Sequence, residues 1–273
     1  MTIAQVLAGE KRWHILTGSW QDVLTLPDRS VDHVITDPPY SEHTHSKSRA
    51  GARKEPLHDG KGRVSRSAIV REVDFGFSHV TQPEREALAD FAADKCKRWA
   101  LTFCDVESSH LWSGAMTSAG LDYCRTGAWI KIGGTPQFTG DRPAVGFEAV
   151  VICHPKGRKK WNGGGHPAVW SHLTCMERGG QARSNNTRSH PTQKPLDLML
   201  ELVGLFTDPG DLILDPYCGS GTTGVACLRL GRRFIGCEMN AEWAQLARDR
   251  MAAEEQQSTL SAARAGQLPM FGR

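Results

Sequence analysis

The chain has no apolar run of the ~20 residues that a membrane-crossing helix needs, so no helical membrane anchor is expected. Residues 1–13 mix acid and base around no apolar segment, and a secretory signal is not expected there either. Eight cysteines are present, but none stands in a Cys-x-x-Cys pair. That argues against a zinc or disulfide framework, with no metal expected, and for small buried thiols in a reducing cytoplasm. A glycine-rich stretch near residue 220 lacks a lysine after Gly224, which excludes a phosphate-binding P-loop. Nor is there a strong excess of one charge: the net is only +3. The excess is local instead, with 8 Lys and Arg against 4 Asp and Glu in residues 41–72, and 7 against 1 in residues 156–189. Two basic insertions on an otherwise acidic body suit phosphate-rich partners, although either one alone fits a solvated loop.

What remains is ordinary for a globular protein. With 273 residues, 39% hydrophobic and 23% charged, the chain fits one sizeable α/β domain with insertions, or two small ones. Strands are expected at 13–17, 31–36, 100–104, 123–132, 147–153, 212–214 and 233–237. Helices are expected at 83–99, 109–119, 195–206, 222–230 and 240–255, the last capped by Asn240. Residues 41–72 are rich in Gly, Ser and basic residues and are expected to form a mobile loop; residues 156–189 show no period. Strands alternating with helices predict a doubly wound, mostly parallel sheet, whose ligands bind at the carboxyl ends of the strands.

Three acids stand at such ends. Asp37 opens Asp37-Pro38-Pro39-Tyr40, a carboxylate, a rigid turn and an aromatic ring suited to gripping a planar amino group on a ring. Alone, that tetrapeptide fits any turn after a strand. Asp215 opens Asp215-Pro216-Tyr217-Cys218-Gly219-Ser220-Gly221-Thr222-Thr223, in which Gly219-x-Gly221-x-x-Gly224 bends a strand into a helix. Glycines there permit positive φ and close backbone approach to a ligand, or simply tight helix–strand packing. Glu238 ends the next strand, where a carboxylate takes the ribose hydroxyls of an adenosine. In His190-Pro191-Thr192-Gln193-Lys194-Pro195, Thr192 and Lys194 offer a hydroxyl and an ammonium to a ligand carboxylate. A ligand carrying both adenosine and an amino-acid carboxylate is S-adenosylmethionine.

These segments resemble the amino-methylating DNA methyltransferases of the class in which the catalytic motif precedes the cofactor motif. Asp37 to Tyr40 matches the catalytic tetrapeptide, residues 26–32 its usual approach, residues 190–195 the segment before the cofactor loop, Asp215 to Thr223 that loop, and Glu238 the ribose-binding acid. The likeness covers residues 14–40 and 129–255. Gly18-Ser19 departs from the usual Gly-Asp, which makes one secondary cofactor contact in the family. The resemblance implies a Rossmann-like methyltransferase fold in circularly permuted order. Residues 1–155 would be the catalytic half with the loop 41–72, residues 156–189 an inserted target-recognition region, residues 190–255 the cofactor half, and residues 256–273 a flexible tail. It also implies S-adenosylmethionine as cofactor and methyl transfer to adenine N6 in double-stranded DNA, because Asp in the first position is commoner in adenine enzymes and Ser in cytosine N4 enzymes. The base would be flipped out and stacked on Tyr40, with Asp37 and the Pro38 carbonyl gripping its amino group and Pro39 fixing the turn. No proline is followed by cysteine, which argues against carbon-5 cytosine chemistry.

DNA phosphates and base edges would then meet Lys47, Arg49, Arg53 and Lys54 in the first basic segment, and Lys156, Arg158, Lys159, Lys160, Trp161, Arg178, Arg183 and Arg188 in the second, with His166, Trp170 and Asn185 as further base readers. A homodimer is common in this family. Gln267-Leu268-Pro269-Met270-Phe271 resembles peptides that dock bacterial replication clamps, and it equally fits terminal packing. Rival readings explain less. A protein glutamine methyltransferase usually carries Asn before the prolines and the cofactor loop first. A nicotinamide oxidoreductase leaves residues 37–40 unexplained, and a DNA-binding module without activity leaves the catalytic tetrapeptide without a purpose.

Overall fold

The computed structural model describes residues 2–41, 79–134, 141–174 and 193–256. Among them, eight strands form one sheet: β1 Trp13–Thr17, β2 His33–Thr36, β3 Ala100–Cys104, β4 Asp122–Ile132, β5 Phe147–His154, β6 Val169–Leu173, β7 Leu212–Asp215 and β8 Arg233–Glu238. Their spatial order is β1-β8-β7-β2-β3-β5-β4-β6. Only β5 runs against the rest, pairing antiparallel with both β3 and β4. The helices are α1 Ile3–Leu7, α2 Trp20–Val23, α3 Gln82–Lys95, α4 Ser109–Ser118, α5 Leu196–Phe206, α6 Thr222–Arg229 and α7 Ala241–Glu255, and they cover both faces. None of the described helices is long and apolar enough to cross a membrane.

Successive residues of a strand point to opposite faces, and the two cores divide accordingly. Ile35, Leu101, Phe103, Val150 and Phe234 face α5, α6 and α7. Val34, Ala100, Cys104, Val151 and Ile235 face α1, α3 and α4. Central strands covered on both sides are nearly apolar throughout, as in β3, where all five residues are buried and only Thr102 is polar. Each fully buried Leu or Phe contributes on the order of 1.5–3 kcal/mol by leaving water.

The differences from the expected elements have local causes. The helix expected from 83 to 99 starts at Gln82 and ends at Lys95. At its start Thr81 accepts from the Glu84 N–H while the Glu84 carboxylate accepts from the Thr81 N–H, a reciprocal cap at a Ser/Thr-x-x-Glu spacing. At its end Cys96 is extended, and its thiol donates to the Trp99 carbonyl as the chain turns into β3. The short helices α1 and α2 were not expected, being too brief for a period. Strand β6 also escaped the sequence reading, and it carries a correction. Trp170, expected to read DNA, is 1% exposed and buried against Phe206 at 6.3 Å between ring centroids. Its ring lies over Gly127 of β4, where a Cβ would come within 2.6 Å. The indole is therefore core, filling the gap a glycine leaves.

Candidate active site

The sheet order places the switch point between β2 and β7: from β2 the chain proceeds to β3 on one side, and from β7 to β8 on the other. Loops leaving two such strands diverge and open a crevice at their carboxyl ends. Asp37 follows β2 directly and Asp215 is the last residue of β7, so both stand at the base of that crevice. Asp105 follows β3 and Glu238 ends β8 at the same edge.

Asp37 is held by a buried cluster of charges. Its Oδ2 accepts from Lys194 Nζ at 2.5 Å, while its Oδ1 is shut off from solvent and has no hydrogen-bond partner among the described residues. The Lys194 ammonium also donates to the Tyr40 hydroxyl at 3.1 Å and lies 3.2 Å from Glu148 Oε2. Tyr40 in turn donates to that same Glu148 oxygen at 2.5 Å. The other Glu148 oxygen pairs with Lys131 Nζ at 2.6 Å. Glu148 stands opposite Trp129 in the β4–β5 register, so Lys131, two residues on, lies diagonally on the same face. Two carboxylates and two ammoniums thus balance in a low-dielectric pocket, as buried charges must.

Burial is the largest influence on each group. It raises the Asp37 carboxyl above the ordinary value, opposed by Lys194 and reinforced by the Glu148 charge. Burial also pushes at Glu148, but the Lys194 and Lys131 ammoniums outweigh it and hold Glu148 ionised below the usual range. For Lys194, burial would favour the neutral amine, yet Asp37 and Glu148 win and raise it. Tyr40, buried beside Asp37 and Glu148, lies well above its ordinary value and stays a neutral phenol. A further brace comes from Asp105, whose Oδ2 accepts from the Ser41 N–H at 3.1 Å and from the Ser41 hydroxyl, fixing the exit of the tetrapeptide.

The second half of the crevice is the turn from β7 into α6. Gly219 has φ +53° and Gly221 φ +78°, conformations costly for any side chain. A Cβ at Gly219 would meet nothing within 4 Å, so the turn is open on its inner side. Asp215 is buried, with Oδ1 accepting from the Tyr217 N–H at 3.1 Å and Oδ2 from the Thr223 hydroxyl at 2.8 Å. Arg250 of α7 donates to the Ser220 carbonyl, the Ser220 hydroxyl and the Thr222 hydroxyl at 2.6, 2.9 and 3.2 Å. Thus Asp215, Ser220, Thr222 and Thr223, expected as ligand contacts, spend their side chains on shaping the turn. Tyr217 likewise accepts from Trp20 Nε1 at 2.9 Å. Glu238 is raised by burial against the backbone N–H groups of Asn240, Gly219 and Met239, and its Oε1 accepts from the Asn240 N–H at 2.8 Å. An open glycine turn beside an acid at a strand end fits an adenosine, with Gly219 allowing approach, Gly221 letting α7 close in at Ala247, and Glu238 placed to take a ribose diol.

The two halves meet through consecutive residues. Ser220 donates to Gln193 Oε1 at 3.4 Å while Lys194 grips Asp37, and adjacent Cα atoms are only ~3.8 Å apart. Lys194 was expected to hold a cofactor carboxylate. Its ammonium instead serves Asp37, Tyr40 and Glu148, because its side chain, just ahead of α5, lies over the Phe103 ring of β3, between the end of β2 and the start of β5. Thr192 lies outside the described residues.

The second basic segment splits in an unexpected way. Lys156, Arg158, Lys159 and Lys160 follow β5, and because β5 is the antiparallel strand they emerge at the amino ends of the others. Lys159 pairs with Asp122 at the start of β4, and Lys160 with Asp208 just before β7. The Lys160 carbonyl accepts from Trp99 Nε1, just before β3, at 2.6 Å. At ~3.3 Å per residue, the length of β3 alone puts them roughly 15 Å from the Asp37 end. Trp161 packs its ring edge-on against Phe206 at 4.7 Å and donates to the Gly164 carbonyl. His166 hydrogen-bonds the Pro167 carbonyl and faces Glu201. By contrast β6 ends at Leu173 on the Asp37 side, and the chain reappears there at Gln193. Arg178, Arg183, Asn185 and Arg188 lie between, outside the described residues, as do Lys47, Arg49, Arg53, Lys54 and residues 267–271.

Sequence reasoning missed Glu148, Lys131, Asp105 and Arg250. Glu148 had a signal, as a lone acid in the apolar run Phe147-Glu148-Ala149-Val150-Val151-Ile152. Asp105 had one too, following a strand as Asp37 does.

Residues 99–249 match the model of a family described as DNA methylase. The chain is similar to the type II methyltransferase M2.DpnII of Streptococcus pneumoniae, 52% identical over 67 residues, which are 24% of this chain and 25% of that protein. It is also similar to the type II methyltransferase M.HinfI of Haemophilus influenzae, 24% identical over 252 residues, covering 83% of this chain and 64% of that protein. The matches thus span less than two thirds of either relative's length. Among solved structures, the crystal structure of an M1.HpyAVI–SAM complex shares the fold, with a TM-score of 0.58, 24% identity, and coverage of 87% of this chain and 99% of that one.

Proposed function

The chain belongs to the DNA methylase family, and from that premise we propose that it transfers a methyl group from S-adenosylmethionine to the N6 amino group of adenine in double-stranded DNA. The observation that carries the reading is the unpaired, buried Oδ1 of Asp37 next to an open glycine turn. A buried carboxylate oxygen without a donor costs stability, on the order of 1–3 kcal/mol. A substrate N–H removes that cost.

An exocyclic amino group is a poor nucleophile while its lone pair is delocalised into the ring. Accepting its N–H at Asp37 Oδ1, with the Pro38 carbonyl taking the second, favours a pyramidal nitrogen whose lone pair faces the crevice. Gly219 and Glu238 would hold the cofactor, which would supply an electrophilic methyl on a sulfonium. The protein's part is positioning and charge: the turn aims the nitrogen, and Asp37 stabilises the positive charge that grows on it. Burial raises the proton affinity of Asp37, which suits it to take the proton the product amine sheds. The base must leave the duplex to reach this depth, and Tyr40, beside Asp37, would offer it a ring to stack on. Asp at the first tetrapeptide position supports adenine over cytosine N4.

A target-recognition role for residues 156–189, carried by the part that follows β6, a homodimer, and a sliding clamp reached through residues 267–271 are further proposals on the same footing. Incubating unmethylated genomic DNA with labelled S-adenosylmethionine and digesting it to nucleosides tests the main one. N6-methyladenine is the expected product; N4-methylcytosine would move the target to the other amino base. Asp37→Ala should abolish transfer and still bind S-adenosylmethionine in calorimetry, and near-normal turnover in that variant would refute the role of Asp37.

A further inference from the structure

We propose that Glu148 is a positioning residue, taking the Lys194 ammonium off Asp37 when a nucleobase amino group arrives. The proposal rests on the amino-methyltransferase reading above and assigns the charge relay that lets Asp37 act in it. Lys194 poses a problem for that reading. An ammonium 2.5 Å from Asp37 Oδ2 draws electron density from the carboxylate and weakens it as an acceptor at Oδ1.

Glu148 supplies the way out. Its Oε2 lies 3.2 Å from the same ammonium, against 2.5 Å for Asp37, so a shift of well under 1 Å reverses which carboxylate holds the charge. Tyr40 hydrogen-bonds to both Lys194 and Glu148 Oε2 and keeps them together during the shift. Lys131 occupies the other Glu148 oxygen, so Glu148 remains ionised and ready. Nothing in this arrangement consumes Glu148 for folding alone: β5 is apolar from Ala149 to Cys153, and an acid buried beside that run is costly. No covalent bond changes in the relay; one ammonium moves from Asp37 Oδ2 to Glu148 while Asp37 Oδ1 accepts the incoming N–H.

The groups that face Asp37 are Lys194 before α5, Glu148 on β5, Tyr40 on its own turn, Cys104 on β3 and Asp215 on β7, with Lys131 on β4 behind Glu148. Two isosteric changes therefore act oppositely on it. Glu148→Gln removes a negative neighbour and leaves Lys194 only Asp37 to pair with. Lys131→Met removes a positive one and leaves Glu148 freer to compete for Lys194.

The test measures methylation of unmethylated genomic DNA by the full chain across pH, for both variants and wild type, with S-adenosylmethionine binding by calorimetry as the fold control. For Glu148→Gln the expected result is a kcat lower by about 10²-fold, an unchanged Kd for S-adenosylmethionine, and an acidic limb moved to lower pH by about one unit. For Lys131→Met the limb moves up by about one unit. If Glu148→Gln binds no cofactor and is unfolded, the Lys131→Met limb decides alone. Wild-type kcat in folded Glu148→Gln, or an unmoved limb in Lys131→Met, overturns the relay. A wild-type protein that methylates no DNA overturns the reading beneath it instead.

Discussion

Asp215 makes the stability of this fold depend on pH in a direction that can be worked out. Its ordinary value is 3.8, and burial pushes it up to about 7, against the pull of the Thr223 hydroxyl and the Tyr217 N–H. Between those values the folded chain keeps a proton that the unfolded chain has lost. Stability from this group is therefore full below about pH 4 and falls as pH rises through about 7. The gap is about three pKa steps at ~1.4 kcal/mol each, so about 4 kcal/mol is lost across the window. Asp215→Asn removes the titration and keeps the geometry: its carbonyl still accepts from Tyr217, and its amide donates to the Thr223 hydroxyl. Asp37 and Glu238 are also raised, but they are common to both proteins and largely cancel in the difference, the Asp37 charge being the smallest of the influences on Asp215. Urea unfolding of wild type and Asp215→Asn at about pH 4.5 and about pH 7.5 should show the variant gaining about 3 kcal/mol relative to wild type between the two, the part of the window those conditions span. Parallel stability curves would mean that Asp215 is ionised in the folded protein and that burial is not its dominant influence.

Two further outcomes follow from packing and placement. Gly127→Ala drives a methyl to within 2.6 Å of the Trp170 ring and 2.9 Å of the Ala168 carbonyl, and should lower stability by about 1–3 kcal/mol, read as a fall in the urea midpoint. Replacing Lys156, Arg158 and Lys159 together by Ala should leave the salt dependence of DNA binding within error of wild type, since these cations sit at the far end of the sheet. A slope reduced by about one per lysine or arginine would show that phosphates reach that end.

Much of this architecture was legible in the sequence because its signals are local. Strands such as Ala100–Cys104 are short apolar runs bounded by polar residues, and Pro195 and Asn240 mark helix starts without reference to anything distant. Asp37, Asp215 and Glu238 could be placed at one edge because a parallel sheet sends every carboxyl end the same way. What escaped depends on pairing. That Lys194 would serve Asp37 rather than a cofactor is decided by residues 157 positions apart. The lysines after residue 155 were misplaced because the reversal of one strand, β5, is written in no single segment. Trp170 looked like a reader of bases because its cavity is made by a glycine on another strand.

The pairing of β1 with β8, Trp13 opposite Phe234 and Thr17 opposite Glu238, has a consequence for how the molecule comes into being. β1 pairs with no other strand of the sheet, and its partner is more than 200 residues downstream. On the ribosome, at ~5–20 residues per second, the first strand must wait on the order of ten seconds or longer before anything exists for it to zip onto. Throughout that interval its apolar, hydrogen-bond-hungry edge is open to strangers, a hazard that grows with crowding of nascent chains. Its production should accordingly be more sensitive to translation rate and to holdase chaperones than the calm appearance of the finished sheet suggests.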